Sequence, residues 1–363
     1  MEIKTIETFR VAVPLTKPFK TALRTVTVAE SIYVKLTCDD GTVGWGEAPP
    51  THVITGDSLA SIEYAILNIL KPLLIGKSLL SREDLFQTLH HSLVGNSSAK
   101  AALDMAIHDC FAKHCGLPLY QLLGGYRDQI ETDFTVSVND PGEMADDAER
   151  YIHDGFTVLK IKVGKDNVDT DVKRVQAIRK RVGKDITIRL DANQGWTVKQ
   201  AIRTIRKMED LDLDIELVEQ PVKAHDIAGL KYVTDNVDTL IMADESVFSL
   251  YDARRVLETG SADLINIKLM KAGGIYQGLK IAQLADSFGV ECMIGSMIET
   301  KLGITAAAHL GASQKNITRF DFDAPLMLEK DVVSGGITYQ KKTIQLPSEP
   351  GLGIIKLDLE KGE

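Results

Sequence analysis

"FTVLKIKVG", residues 156–164, reads as a buried strand that carries two lysines. Thr157, Val158, Leu159, Ile161 and Val163 supply the β-branched and apolar content of an interior strand. Strand side chains alternate faces, so Lys160 and Lys162 share one face while Leu159, Ile161 and Val163 share the other. Two like charges aimed side by side at one surface destabilise the fold unless that surface uses them.

The strand is one of a series. From about Gln129 onward, short apolar runs alternate with helical stretches: "IETDFTVSV", "TVLKIKV", "ITIRLDA", "IELVEQ", "TLIMADE", "ADLINIKL", "VECMIGS" and "ITRFDFD". Each but the last is succeeded by a helix-like stretch, which predicts parallel βα units and a (β/α)8 barrel, an α/β fold. The front of the chain differs. Residues 2–13 and 31–47 alternate as strands, with a hairpin turn at Asp39-Asp40-Gly41, and helical periodicity runs from about Ser58 to His114. Ser81 and Asp84 are placed to form a capping box on a helix starting at Arg82. "GLPLYQLLGG", residues 116–125, punctuates the chain. The expected division is an α+β unit over 1–125, a barrel over 126–334, and a strand-like tail over about 335–363 that packs back on the first unit.

Lys162, Asp191, Glu219, Asp244, Lys268, Ser296 and Asp321 close successive strands at intervals of 29, 28, 25, 24, 28 and 25 residues. One βα unit has that length, so the seven recur at one height, on the rim where barrel enzymes carry their chemistry. Asp191, Glu219 and Asp244 come from adjacent strands and converge, and three converging anions call for a cation. Oxygen ligands suit Mg2+, with Mn2+ as a substitute. The plainer alternative makes one or two of these acids helix caps in βα loops. Lys162 and Lys268 lie four strands apart in a ring of eight and so face each other across the barrel mouth. A carboxylate held between them would have its α-carbon flanked by two amines. Lys160, one pleat lower, would lower the pKa of Lys162 and reach the same carboxylate.

Composition narrows the partners. A net charge of -9 and a pI near 5.5 argue against nucleic acid and anionic membrane, and favour a small molecule. No apolar run approaches membrane-spanning length, and MEIKTIE lacks a signal-peptide core, so the expected location is cytoplasmic. Cys38, Cys110, Cys115 and Cys292 form no CxxC pair and read as reduced, packed thiols.

These motifs together resemble the enolase superfamily in its muconate-lactonizing subgroup. The resemblance spans almost the whole chain: "GLPLYQLLGG", the K-x-K of "KIKVG", "DANQGW" (191–196), "VEQP" (218–221), "ADES" (243–246) and "KLMKAGG" (268–274). It implies an N-terminal α+β capping domain over a modified TIM barrel. It also implies Mg2+ on Asp191, Glu219 and Asp244, an acid/base pair in Lys162 and Lys268, enolate stabilisation by Lys160, and support of the ligands by Glu245. The mandelate-racemase branch carries a histidine on strand seven, where this chain has "CMIGSMI" and no histidine between His225 and His309.

Such chemistry starts with α-proton abstraction, and substrate contacts decide the fate of the resulting anion. In "RFDFDAP" period two turns Asp321 and Asp323 to the barrel mouth, where two anions suit an ammonium. This D-x-D resembles the strand-eight motif of dipeptide epimerases, which holds the dipeptide's free amino terminus. "TKPFKTALRTVTV", residues 16–28, reads as a polar loop over the mouth. Its Arg24 would meet a second carboxylate, and Lys17 and Lys20 read as solvated. Ser296, Met297 and Ile298 would line the pocket, although an apolar pair at a strand end is commonly core. The expected activity is epimerisation of L-Ala-Glu at its glutamate, in murein-peptide metabolism. An N-acylamino-acid racemase, a succinylbenzoate synthase or muconate cycloisomerase, and a non-catalytic binding protein are the alternatives. Assembly into a homo-oligomer is left open.

Overall fold

The computed structural model describes residues 1–359; residues 360–363, the end of the expected tail, lie outside the described residues. The chain opens with an antiparallel sheet in which Ile3–Lys20, Thr25–Cys38 and Val43–Ala48 lie in sequence order. The stretch expected as a polar loop is mostly the end of this long hairpin, with its tip at 21–24 and a register shift between Pro14 and Phe19. The β-branched run Thr25–Val28 extends readily, and its polar side chains mark exposure rather than a loop. The two lysines of this stretch, expected to be solvated, are partly exposed and paired. Lys17 pairs with Glu143 and Asp147 at 2.9 and 2.6 Å, and Lys20 Nζ donates to Asn139 at 2.8 Å, which pins the hairpin to the barrel.

Helices come next, among them Arg82–His91 and Ser97–Cys115. Ser81 does sit at the N-cap of the first, but no side-chain cap bond forms, and the Asp84 carboxylate pairs with Lys77 at 2.6 Å. A capping box is found instead at Ser58 and Ser61. The helix Ser97–Cys115 is buried on nearly every side and lies against Val43–Ala48. Glycine permits that approach, since a Cβ on Gly46 would meet the Ala102 carbonyl oxygen at 1.9 Å.

The barrel consists of eight parallel strands: Phe134–Val136, Val158–Lys162, Thr187–Asp191, Ile215–Glu219, Leu240–Ala243, Leu264–Lys268, Cys292–Gly295 and Ile317–Phe320. Helices connect them in turn, except after the eighth strand, which leads into the 3-10 turn Ala324–Met327. "IETDFTVSV" is not one strand. Gln129–Glu131 pairs with Thr343–Gln345 of the tail, and only Phe134–Val136 enters the barrel.

Strands one and eight carry no continuous ladder between them. Their seam is bridged by Asp133 N–H to the Phe320 carbonyl at 3.1 Å, Phe322 N–H to Thr132 Oγ1 at 2.8 Å, and Thr135 N–H to Asp323 Oδ2 at 2.6 Å. The tail also reaches the first helices: Gly351 bonds to Leu117 and Leu119, and Leu352 N–H donates to Asp109. Two contacts tie the capping sheet and its helices to the barrel. Asp104 accepts the Ile275 N–H at the start of the helix Ile275–Ser287, and Glu47 accepts the Gly303 N–H at the start of Lys301–Ser313.

Candidate active site

Strand two divides as its alternation requires. Leu159, Ile161 and Val163 are buried in the apolar layer between strands and helices, while Lys160 and Lys162 are buried inside the barrel. Register aligns Lys162 with Asp191 and Asp191 with Glu219, so lysine and acids stand at one level across three neighbouring strands. Asp244 lies just past the fifth strand, Lys268 ends the sixth, and Ser296 and Asp321 lie just past the seventh and eighth.

A cavity at the C-terminal end of the barrel is lined by Lys162, Lys268, Ser296, Met297, Ile298, Asp321 and Asp323 from the barrel. Arg24, Phe19, Val53 and Ile54 cover it from the capping domain. Lys160, Asp191, Glu219, Asp244 and Glu245 form its buried floor. A larger cleft of about 690 Å3 runs outside the first strand and shares Phe19 and Thr135 with the cavity. Lys17 and Arg150 in it both pair with Asp147, and the lysine and carboxylate set does not line it.

On the floor each ammonium rests on carboxylates. Lys160 Nζ lies 2.7 Å from Glu219, 2.8 Å from Asp321 and 3.3 Å from Asp191. Lys162 is 2.6 Å from Asp191, and Lys268 is 2.7 Å from Asp244. Burial opposes the charge of Lys160 and Lys268, but the carboxylates outweigh it and raise both amines above the ordinary lysine value. Three acids thus surround the Lys160 ammonium. The acids diverge in turn. Burial and the charge of Asp191 push Glu219 up to about 7, and burial with Asp244 and Asp191 pushes Glu245 to about 8. Asp244 resists the effect of burial because Lys268 and Lys271 hold it well below the usual carboxylate range.

Among the described residues, no three carboxylate, imidazole or thiolate groups are drawn together as a metal's ligands are. The ammonium groups stand between the acids instead. The floor nonetheless suits a hard cation. Glu219 Oε2 and Asp244 Oδ1 are buried without a well-formed hydrogen bond, although Lys160 and Lys271 approach them to 2.7 and 2.6 Å. Oxygen donors with free lone pairs, converging from adjacent strands, fit Mg2+ or Mn2+.

Each acid also has a support of its own. Asn193 donates its N–H to Asp191 at 2.9 Å and its side chain to Glu245 at 3.4 Å. Asn266 Nδ2 donates to Glu219 at 2.8 Å. Lys271 reaches Asp244 Oδ1 at 2.6 Å, donates to the Asp244 carbonyl, and donates to the Asn266 carbonyl at 3.0 Å. Asn266 was findable from the sequence, since period two places it on the same face as Lys268. Lys271 was not, because it lies on the short helix Leu269–Ala272, where strand alternation gives no direction.

On the eighth strand's side, Asp321 anchors Lys160, and Asp323 spends one oxygen on the Thr135 N–H. Burial and the neighbouring Asp321 push Asp323 to about 7. Arg24 is half-buried in the cavity wall and has no carboxylate partner among the described residues, while burial lowers its pKa. Its guanidinium is thus the free cation of the wall among the described residues.

Residues 4–124 match the family model for the mandelate racemase / muconate lactonizing enzyme N-terminal domain, and residues 143–360 match the enolase C-terminal domain-like model. The chain is 66% identical to the L-Ala-D/L-Glu epimerase of Bacillus subtilis (strain 168), covering 100% of this chain and 99% of that protein. A substrate-liganded structure of the Bacillus subtilis L-Ala-D/L-Glu epimerase superimposes with a TM-score of 0.98, covering 99% of this chain and 100% of the other, at 66% identity. The Enterococcus faecalis V583 dipeptide epimerase, solved with Mg and the dipeptide L-Leu-L-Tyr, gives a TM-score of 0.94 at 45% identity, over 98% of this chain and 99% of that one. With both domains matched, the chain belongs to the mandelate racemase / muconate lactonizing family of the enolase superfamily.

Proposed function

We propose that this protein interconverts L-Ala-L-Glu and L-Ala-D-Glu with Mg2+ as cofactor, in the cytoplasm and in murein-peptide metabolism. The observation that carries the reading is one cavity holding two groups of the right kind, Lys162 and Lys268 from strands two and six, with Asp321 and Asp323 also lining it and, in the wall, Arg24, which has no carboxylate partner among the described residues. Similarity to epimerases of this dipeptide over the full chain supports it. In this reading residues 1–125 are the cover and 126–334 the catalytic barrel.

Asp191, Glu219 and Asp244 would hold Mg2+, or Mn2+ in its place. When bound, the ion supplies positive charge to the substrate carboxylate and so acidifies the α-proton. Lys162 takes that proton on one face and Lys268 returns one on the other, with roles exchanged for the opposite stereoisomer. Lys160 donates to the carboxylate oxygens as charge builds there. Glu245 steadies the ligands through Asn193. Asp321 and Asp323 receive the ammonium of the first residue, and Arg24 receives the glutamate side chain. Ser296, Met297 and Ile298 shape the wall beside it.

The test is incubation of L-Ala-L-Glu with protein and Mg2+ in D2O. Deuterium at the glutamate α-carbon together with L-Ala-D-Glu is the expected product, and a dipeptide recovered unlabelled and unepimerised refutes the reading.

A further inference from the structure

A second pair of buried acids lies away from the metal floor, where the capping sheet meets the barrel. Glu47, from the strand Val43–Ala48, is fully buried and accepts from four donors: Ser31 Oγ at 2.7 Å, Thr300 N–H at 2.9 Å, Thr300 Oγ1 at 2.7 Å and Gly303 N–H at 2.7 Å. Acceptance on both oxygens is the arrangement of an ionised carboxylate. Tyr33 O–H completes the chain by donating to Thr300 at 2.5 Å. Glu299 is also buried, and its Oε1 accepts the Met297 N–H at 2.9 Å, closing the turn that carries Met297 and Ile298 into the cavity wall. Its other oxygen lies on the Gly303 side, where Glu47 also ends. A Cβ on Gly303 would meet Glu299 Oε2 at 2.3 Å and Glu47 Oε2 at 3.1 Å, so both acids border one point. Two buried carboxylates that close are stable only if one keeps its proton.

We propose that a protonated Glu299 and an ionised Glu47 form a latch between capping domain and barrel, which positions the Met297-Ile298 wall and thereby sets substrate affinity rather than the chemical step. Glu299 is the proton holder, because burial and the charge of Glu47 push it up to about 8. The charged groups facing the pair are few. Lys268 acts on Glu299 from strand six, and Asp331, paired with Lys301, acts on Tyr33 behind Glu47. Loss of the Glu299 proton sets two anions against each other and frees the turn.

The inference rests on the epimerase reading, and the two fail differently. Steady-state kinetics with L-Ala-L-Glu are measured from pH 7 to 9.5 for the wild type, Glu299→Gln and Glu299→Ala, with thermal unfolding to confirm that each variant folds. The wild-type KM should rise about tenfold as the pH passes 8, equivalent to about 1.4 kcal/mol of lost positioning. Glu299→Ala should show the raised KM already at pH 7. Glu299→Gln, which keeps a neutral donor, should restore the low KM and hold it flat with pH. Any pH dependence of kcat that arises outside the Glu47–Glu299 pair should persist in Glu299→Gln, which separates it from the latch. A Glu299→Gln KM that climbs with pH as in the wild type, or a Glu299→Ala KM that stays low, overturns the latch. A wild type inert toward L-Ala-L-Glu removes the function itself and the latch with it.

Discussion

Lys162 and Lys268 enter one cavity from strands four apart in the sheet, and each rests on a different acid, Asp191 at 2.6 Å and Asp244 at 2.7 Å. The two amines are thus held by separate partners. Each of Lys162→Ala and Lys268→Ala should lower epimerisation at least about a thousandfold, within the range expected for loss of a positioned acid or base. Each variant should still exchange the α-proton of one stereoisomer, the one facing the remaining lysine. NMR of L-Ala-L-Glu and L-Ala-D-Glu in D2O reads this directly, and equal loss of both exchanges in both variants would contradict the two-base arrangement.

Arg24 predicts the second residue. Replacing a guanidinium that meets a buried carboxylate removes a charge-assisted contact of about 1.5–3 kcal/mol. Arg24→Met should therefore raise KM for L-Ala-L-Glu about ten- to a hundredfold, with a much smaller effect on a dipeptide whose second side chain is neutral. Steady-state comparison of the two substrates decides it.

Asp321 and Asp323 predict a demand for a free amine. N-acetyl-L-Ala-L-Glu loses the cation and would leave buried acid beside an uncharged amide. Its kcat/KM should fall at least about tenfold below that of the free dipeptide, and comparable turnover of the two would favour an N-acylamino-acid racemase.

Chelation should abolish turnover, and Mg2+ or Mn2+ should restore it. A divalent ion on the proposed ligands Asp191, Glu219 and Asp244 would take over the neutralising role the lysines now fill, and binding only to the folded state would add stability. At a hundred times its dissociation constant the gain is about 2.7 kcal/mol, seen as a rise in Tm on titration of the ion into chelator-treated protein.

His309 predicts an acid-sensitive fold. It is fully buried, its Nδ1 accepts the Tyr120 N–H at 2.9 Å, and burial lowers its pKa from 6.5 to about 3. The unfolded chain binds a proton below pH 6.5 while the folded protein does not until about pH 3, so this contribution is complete above 6.5 and is lost as pH falls. The slope is about 1.4 kcal/mol per pH unit. Urea unfolding between pH 7 and 5 should show it, and His309→Gln should remove that component.

Much of the site was legible because strand alternation is rigid. Lys160, Lys162, Asp321 and Asp323 come directly from period two, and the spacing of βα units places the acids on neighbouring strands. Contacts between distant segments were not legible. Nothing local says that Lys17 seeks Asp147, that Asp84 prefers Lys77 to its own helix end, or that Gln129–Glu131 leaves the barrel for the tail. Lys271 and the Glu47–Glu299 pair are of the same kind, meaningful only after folding brings separate elements together.

The break between strands eight and one gives Asp323 a double duty. One of its oxygens fastens Thr135 across the gap, and the same carboxylate lines the cavity, where the proposed function has it receive the substrate's amine. Recognition and barrel closure thus share a single clasp. A variant altered at Asp323 to accept an amine-free substrate would also loosen the wall it sits in, so a change of specificity at this point requires a new fastening for strand one.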